Sequence, residues 1–171
     1  MGAKEQGADA TTGRWLVIPR TLCFVLNGDD VLLMKRAAHK RVFPGRYNGV
    51  GGHIERDEDP LTSARREILE ETGLHVQNLR LRGVCHIDAN ESVGVMVLVF
   101  TATSERRDTQ DNGEGSLHWV CRNQVLDLDL VDDLPVILPH LLAMEPDAPP
   151  FFVHVSYDKT NDTIRLRLAD D

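Results

Sequence analysis

Residues Gly51 to Leu74 read GGHIERDEDPLTSARREILEETGL, and this stretch decides the fold. Seven of its 24 residues are acidic, and Glu67, Glu70 and Glu71 fall within five positions. Like charges three and four apart on a helix repel by about 0.2–0.5 kcal/mol per pair. The flanking signals are nonetheless those of a helix. Asp59 suits an N-cap, Pro60 the first helical position and Gly73 the left-handed stop. At about 100° per residue, Leu61, Ala64 and Ile68 share a core-facing stripe. Glu67, Glu70 and Glu71 then occupy an arc of roughly 100° beside that stripe. Carboxylates converging at a cleft edge suit a hard divalent cation, which would also remove their repulsion. A solvated acidic helix face is the alternative, because Glu is a good surface helix former.

Working outward, the strand signals surround this helix. WLVIPRTLCFVLN and VLLMKR flank Asn27-Gly28-Asp29-Asp30, a hairpin pattern. AAHKRVFPGRYNGVGG should be loop with a short strand. Two strands follow the helix, LHVQNLRLRGVCHI and SVGVMVLVFTATS, then the polar loop ERRDTQDNGEG and the strand SLHWVCR. LVDDLPVILPHLLAM reads as a helix in two pieces, broken near Pro135 and Pro139. FFVHVSY and TIRLRL alternate well and predict a terminal hairpin. Residues 1–13 are small and polar and read as a disordered tail, which leaves 14–171 as one mixed α/β domain.

The whole chain narrows the function classes. Its 171 residues suit one domain with a real core. A formal net charge of −8 argues against a broad grip on a nucleic-acid polymer. Small anionic ligands remain open, since bound cations reverse a local field. The three cysteines, Cys23, Cys85 and Cys121, are widely spaced and predict neither a disulfide framework nor a zinc site. No apolar run reaches the length of a membrane span, and the first residues lack a secretory signal's apolar core. The expectation is a soluble, cytoplasmic protein without a membrane partner, monomer or homodimer.

The spacing carries the argument further. Gly52, Glu58, Arg66-Glu67-Ile68, Glu70-Glu71 and Gly73-Leu74 fill nine defining positions over 23 residues. This resembles a complete Nudix box, and the flanking strand order extends the resemblance over residues 15–168. Asp57 stands where many members have Gly before the first glutamate of the box. The resemblance implies an α/β/α sandwich around a mixed sheet with a catalytic loop-helix. It also implies hydrolysis of a diphosphate linked to another moiety, with Mg²⁺ or Mn²⁺. Carried over by position, Glu67, Glu70 and Glu71 would be metal ligands, joined by the backbone carbonyl of Gly51. Arg66 would orient a glutamate, and Glu58 would support the loop–helix junction. The general base would be Glu71 or Glu114, the latter in the loop before Trp119 and a further candidate metal ligand. Lys35 and Arg36 could meet phosphate, and His53 lies between the glycines and the helix.

GRYNGVGGHIE further resembles a segment of MutT-like purine nucleoside triphosphate diphosphatases, whose asparagine reads the base; here it is Asn48. LDLVDDLPVILPHLL resembles their acidic pair, here Asp132-Asp133. An amide and a carboxyl pair sharing a proton can each match a purine edge. Leu130 and Val131 stand where those enzymes often have a stacking Trp. The substrate expected is a small nucleotide, foremost a purine nucleoside triphosphate, oxidised purines included, cleaved to monophosphate and pyrophosphate. ADP-ribose or dinucleoside polyphosphates are the alternative substrates. A noncatalytic nucleotide-sensing module is the alternative of another class.

Overall fold

The computed structural model describes residues 2–110 and 113–169. Met1, at the head of the expected tail, and Asp111-Asn112, in the polar loop, lie outside the described residues, as do Asp170 and Asp171. In chain order the strands are β1 (Leu16–Asn27), β2 (Asp30–Arg36), β3 (Tyr47–Asn48), β4 (Gln77–Asp88), β5 (Val93–Thr103), β6 (Gly115–Cys121), β7 (Phe151–Tyr157) and β8 (Ile164–Leu168). Helix α1 (Pro60–Thr72) lies between β3 and β4, and α2 (Leu134–Ala143) between β6 and β7.

The strands form one sheet in the order β3-β2-β1-β5-β4-β7-β8, with β6 paired to β2. β1 runs parallel to β5, and β4 to β7; the other pairings are antiparallel. The expected hairpin closes through Gly28 and Asp29, with Asn27 opposite Asp30 and Gly28 at φ +59°. The terminal hairpin is present as β7–β8.

Period-two alternation sorts the sheet's residues onto two faces. Phe24, Val31, Leu33, Cys85, Val99 and Val153 pack with Leu134, Ile137, Leu138 and Leu141 of α2. Their neighbours Cys23, Val25, Leu32, Met34, Phe100 and Ala102 pack with Ala64 and Ile68 of α1. The result is the α/β/α sandwich with a mixed sheet that the sequence predicts.

Three local readings differ from expectation. In α1 the buried residues are Ser63, Ala64, Ile68 and Thr72, while Leu61 is 45% exposed. The helix is thus rotated so that Ser63, Glu67 and Glu71 form a row of i, i+4 neighbours beside the core. The segment around Pro135 and Pro139 is one helix, not two. Pro135 falls within its first two positions, where a missing N–H costs nothing, and four buried aliphatic residues hold the turn containing Pro139. A 3₁₀ turn, Arg122–Asp127, follows β6 and buries Val125.

Candidate active site

The site begins where β1 changes partners. Its C-terminal end pairs with β2 at Val25–Asn27, but further back the same edge meets the glycine segment. The Thr21 N–H donates to the Gly52 carbonyl at 2.9 Å, and Cys23 exchanges hydrogen bonds with Val50 at 2.7 and 3.1 Å. Residues 50–53 therefore run as a pinned, extended segment between the sheet and α1.

Two glycines let the helix carboxylates reach this segment. Gly51 has φ +146°, and a Cβ there would lie 2.3 Å from the Thr21 carbonyl oxygen. Its N–H donates to Glu71 Oε2 at 2.8 Å. A Cβ on Gly52 would lie 2.5 Å from Glu67 Oε1. Glu71 is half-buried, and burial pushes its carboxyl up to about 7, with Glu67 and Glu114 adding repulsion. The Gly51 N–H and Arg36 pull the other way.

Arg66 organises the remaining acids. Its Nε and one terminal nitrogen grip Glu58 at 2.5 and 2.9 Å, a fork-to-fork pair. The other terminal nitrogen donates to Glu67 at 2.8 Å and to Glu70 at 3.0 Å. The terminal nitrogen bound to Glu58 also donates to the His53 carbonyl at 3.2 Å, tying the loop to the helix. The Arg66 guanidinium, with help from the Glu55 N–H, holds the Glu58 carboxyl down at about 2. Glu70 is turned toward solvent, its side chain 59% exposed against 12% for Glu67. Among the described residues no three acidic, histidine or cysteine side chains close around one point.

A cleft of about 720 Å³ opens beside these groups, within the usual range for a small-molecule site. At one end it is bordered by Gly51, Gly52, Glu67, Glu71 and Glu114. Glu114 lies directly before β6 and pairs with Lys40 Nζ at 2.6 Å. The other end is apolar, with Cys85, Ile87, Ala89, Val95 and Val97. Asn48 and Asp133 also face the cleft. The Asn48 side-chain oxygen accepts from the Gly49 N–H at 2.9 Å. Asp133 is raised above the usual carboxylate range by burial, and it makes no side-chain cap on α2.

Other sequence-predicted residues lie elsewhere. Asp132 is exposed and pairs with Arg46 at 2.6 Å, so the acidic pair is split between cleft and surface. Lys35 does not line the cleft, and its Nζ sits 5.6 Å from the Tyr47 ring centre. Its neighbour Arg36 borders the cleft, with Nε bonded to the Val42 carbonyl at 2.8 Å. Sequence reasoning missed Arg20, Arg41, Phe43 and Tyr157, which also line the cleft. Only Arg20 carried a visible signal, a lone charge inside an apolar strand.

Comparison with known proteins agrees with this geometry. The family model described as NUDIX domain matches residues 17–141. The chain is 34% identical over 124 residues to the oxidized purine nucleoside triphosphate hydrolase of Mus musculus, covering 71% of this chain and 78% of that protein. It is 30% identical to nucleoside triphosphatase NudI of Enterobacter sp. (strain 638), covering 62% of this chain and 83% of that one. A MutT protein crystal structure from Bacillus halodurans superimposes with a TM-score of 0.75 at 26% identity, covering 89% of this chain and 97% of the other. With Glu67 and Glu71 of its box on one glycine-lined cleft, the chain belongs to the Nudix family and is a MutT-like hydrolase of phosphoanhydride bonds.

Proposed function

We propose that this protein hydrolyses a purine nucleoside triphosphate, oxidised purines included, to the monophosphate and pyrophosphate. One observation carries the reading: the carboxylates of Glu67 and Glu71 border, across two glycines, a cleft that is also lined by apolar side chains and by Asn48 and Asp133. A nucleotide has the same division, a charged phosphate chain joined to a flat base. The similarity to a protein named for oxidised purine nucleoside triphosphates supports the choice.

Nudix hydrolases use a divalent metal. The donors here suit Mg²⁺ or Mn²⁺: all are hard oxygens, and Gly52 leaves a hollow against Glu67 that a Cβ would fill. Glu67, Glu70, Glu71, the Gly51 carbonyl and Glu114 would hold the ion. When bound, such an ion neutralises phosphate charge and lowers the pKa of water. The chain's own residues supply the rest. Glu71 or Glu114 accepts the proton of the attacking water as its oxygen bonds to phosphorus and the bridging P–O bond breaks. Arg66 holds Glu67 and Glu70 in fixed rotamers, and Glu58 holds Arg66. Asn48 offers a donor and an acceptor to a base edge, and burial of Asp133 shifts its carboxyl upward, toward the form that can also donate.

The test is a panel of nucleoside triphosphates, 8-oxo-dGTP included, with Mg²⁺ between pH 7 and 9, assayed for pyrophosphate. Purine triphosphates should release it. A panel in which only ADP-ribose or dinucleoside polyphosphates are cleaved would replace this substrate with those.

A further inference from the structure

Arg20 is the anomaly in the cleft. It projects from β1 on the cleft face, and its Nε is buried without a hydrogen-bond partner. Arg82 and Arg122 also have an unpartnered Nε, but their other nitrogens are engaged. Arg82 donates to the Pro146 and Glu145 carbonyls at 3.0 and 2.7 Å, and Arg122 to Gly28 at 3.3 Å. Among the described residues no hydrogen bond or ion pair reaches the Arg20 guanidinium, although Glu55, Glu67, Glu71, Glu114 and Asp133 line the same cleft. Arg20 is half-buried, and a donor such as its Nε, withdrawn from water and left unpaired, opposes folding. Arg20 is therefore placed for something other than the resting fold.

Its position says what. On one side of β1, Arg20 bridges to His53 of the glycine segment, which carries the contacts to Glu67 and Glu71. On the other side it is paired with Val97 of β5, in the apolar half of the cleft. The next cleft-facing residue along β1, Leu22, packs on the apolar cluster. Arg20 stands at the boundary between the two halves. In a nucleotide that boundary is the phosphate bonded to the sugar. We infer that Arg20 is the substrate-binding anchor for this nucleoside-proximal phosphate, its guanidinium fork donating to two phosphate oxygens. The inference rests on the proposed activity and names the residue that selects a phosphorylated nucleoside.

Arg20→Met and Arg20→Lys test it, with dGTP as substrate and dGMP and inorganic pyrophosphate as calorimetric ligands. For Arg20→Met, the KM for dGTP and the Kd for dGMP should each rise at least about tenfold, the loss of a charge-assisted hydrogen bond. The kcat should stay within about threefold, the Kd for pyrophosphate within about twofold, and Arg20→Lys should recover part of the loss. The Tm of Arg20→Met should equal or exceed that of the wild type, which a structural arginine would not permit. If the wild type turns over another diphosphate instead, that substrate and the monophosphate it releases take the place of dGTP and dGMP. An unchanged KM and monophosphate affinity in an active enzyme overturns the Arg20 assignment alone. So does a weakened pyrophosphate affinity with monophosphate binding intact, or a lowered Tm with all ligands weakened alike. A wild type that neither binds nor hydrolyses any nucleotide overturns the proposed activity and this inference together.

Discussion

Gly51 and Gly52 are adjacent, yet a methyl group at each should fail in a different way. At Gly52 the obstruction is the end of the Glu67 side chain, which can swing aside. Gly52→Ala should fold with nearly wild-type Tm but lose about 10²-fold in kcat/KM, because the Glu67 carboxylate, a proposed metal ligand, is displaced by about 1 Å or more. At Gly51 the obstruction is backbone, and φ +146° is a region that side-chain-bearing residues scarcely enter. Gly51→Ala should lose about 2 kcal/mol or more, lowering Tm by about 4–8 °C in a chain of this size. Thermal scans beside steady-state kinetics separate the two; equal Tm losses would refute the contrast. The box pattern marks only Gly52 as defining, and the greater strain at Gly51 emerges from its contact with the Thr21 carbonyl.

At the scale of the element, α1 has to start correctly to aim its glutamates. Asp59 accepts from the Leu61 and Thr62 N–H groups at 2.8 and 3.0 Å and from the Thr62 hydroxyl at 2.6 Å. Asp59→Ala should cost about 1 kcal/mol, or about 2–4 °C in Tm. The kcat should barely change, since Arg66 still fastens the helix to the loop through Glu58 and the His53 carbonyl. A large fall in kcat with little change in Tm would show that the cap positions the site directly. Both ends of α1 were legible, because caps depend on side chains within three or four residues of the terminus. Its rotation was not legible: which of Leu61 and Ser63 is buried depends on where β1 and β4 lie beneath it. The single α2 had the same cause, since burial of Leu134, Ile137, Leu138 and Leu141 outweighs the local preference to break at Pro139.

At the scale of the whole molecule, charge and metal are linked through pH. The chain carries −8, and its cleft gathers several carboxylates, so a phosphate chain meets repulsion unless cations intervene. Without metal the Glu71 carboxyl is raised to about 7 from about 4.5. The folded state then holds a proton that the unfolded state releases, so this group's effect on stability becomes less favourable as pH rises from about 4.5 to about 7. Glu58 has the opposite sign: its carboxyl is depressed to about 2, so its contribution is present above about 4.5 and is lost as pH falls toward 2. A metal that binds Glu71 has to expel the proton. Mn²⁺ affinity should therefore weaken by up to about tenfold per pH unit below 7 and level off above about 8. Calorimetry in buffers of different ionisation enthalpy should count close to one proton released at pH 6 and few at pH 8. A pH-independent affinity would remove Glu71 from the ligand set.

The box spacing, the caps of α1, both hairpins and the alternating strands lie in short windows of sequence, so residue order alone determined the family, the sandwich and which glutamates to examine. Only the tertiary structure separated Asp133 from Asp132, put Arg36 rather than Lys35 at the cleft, and exposed Arg20 as a cation without a partner. Those outcomes depend on which distant strands lie side by side, such as β1 between the glycine segment and β5. Burial and pairing are set by neighbours far away along the chain, and no local pattern encodes them.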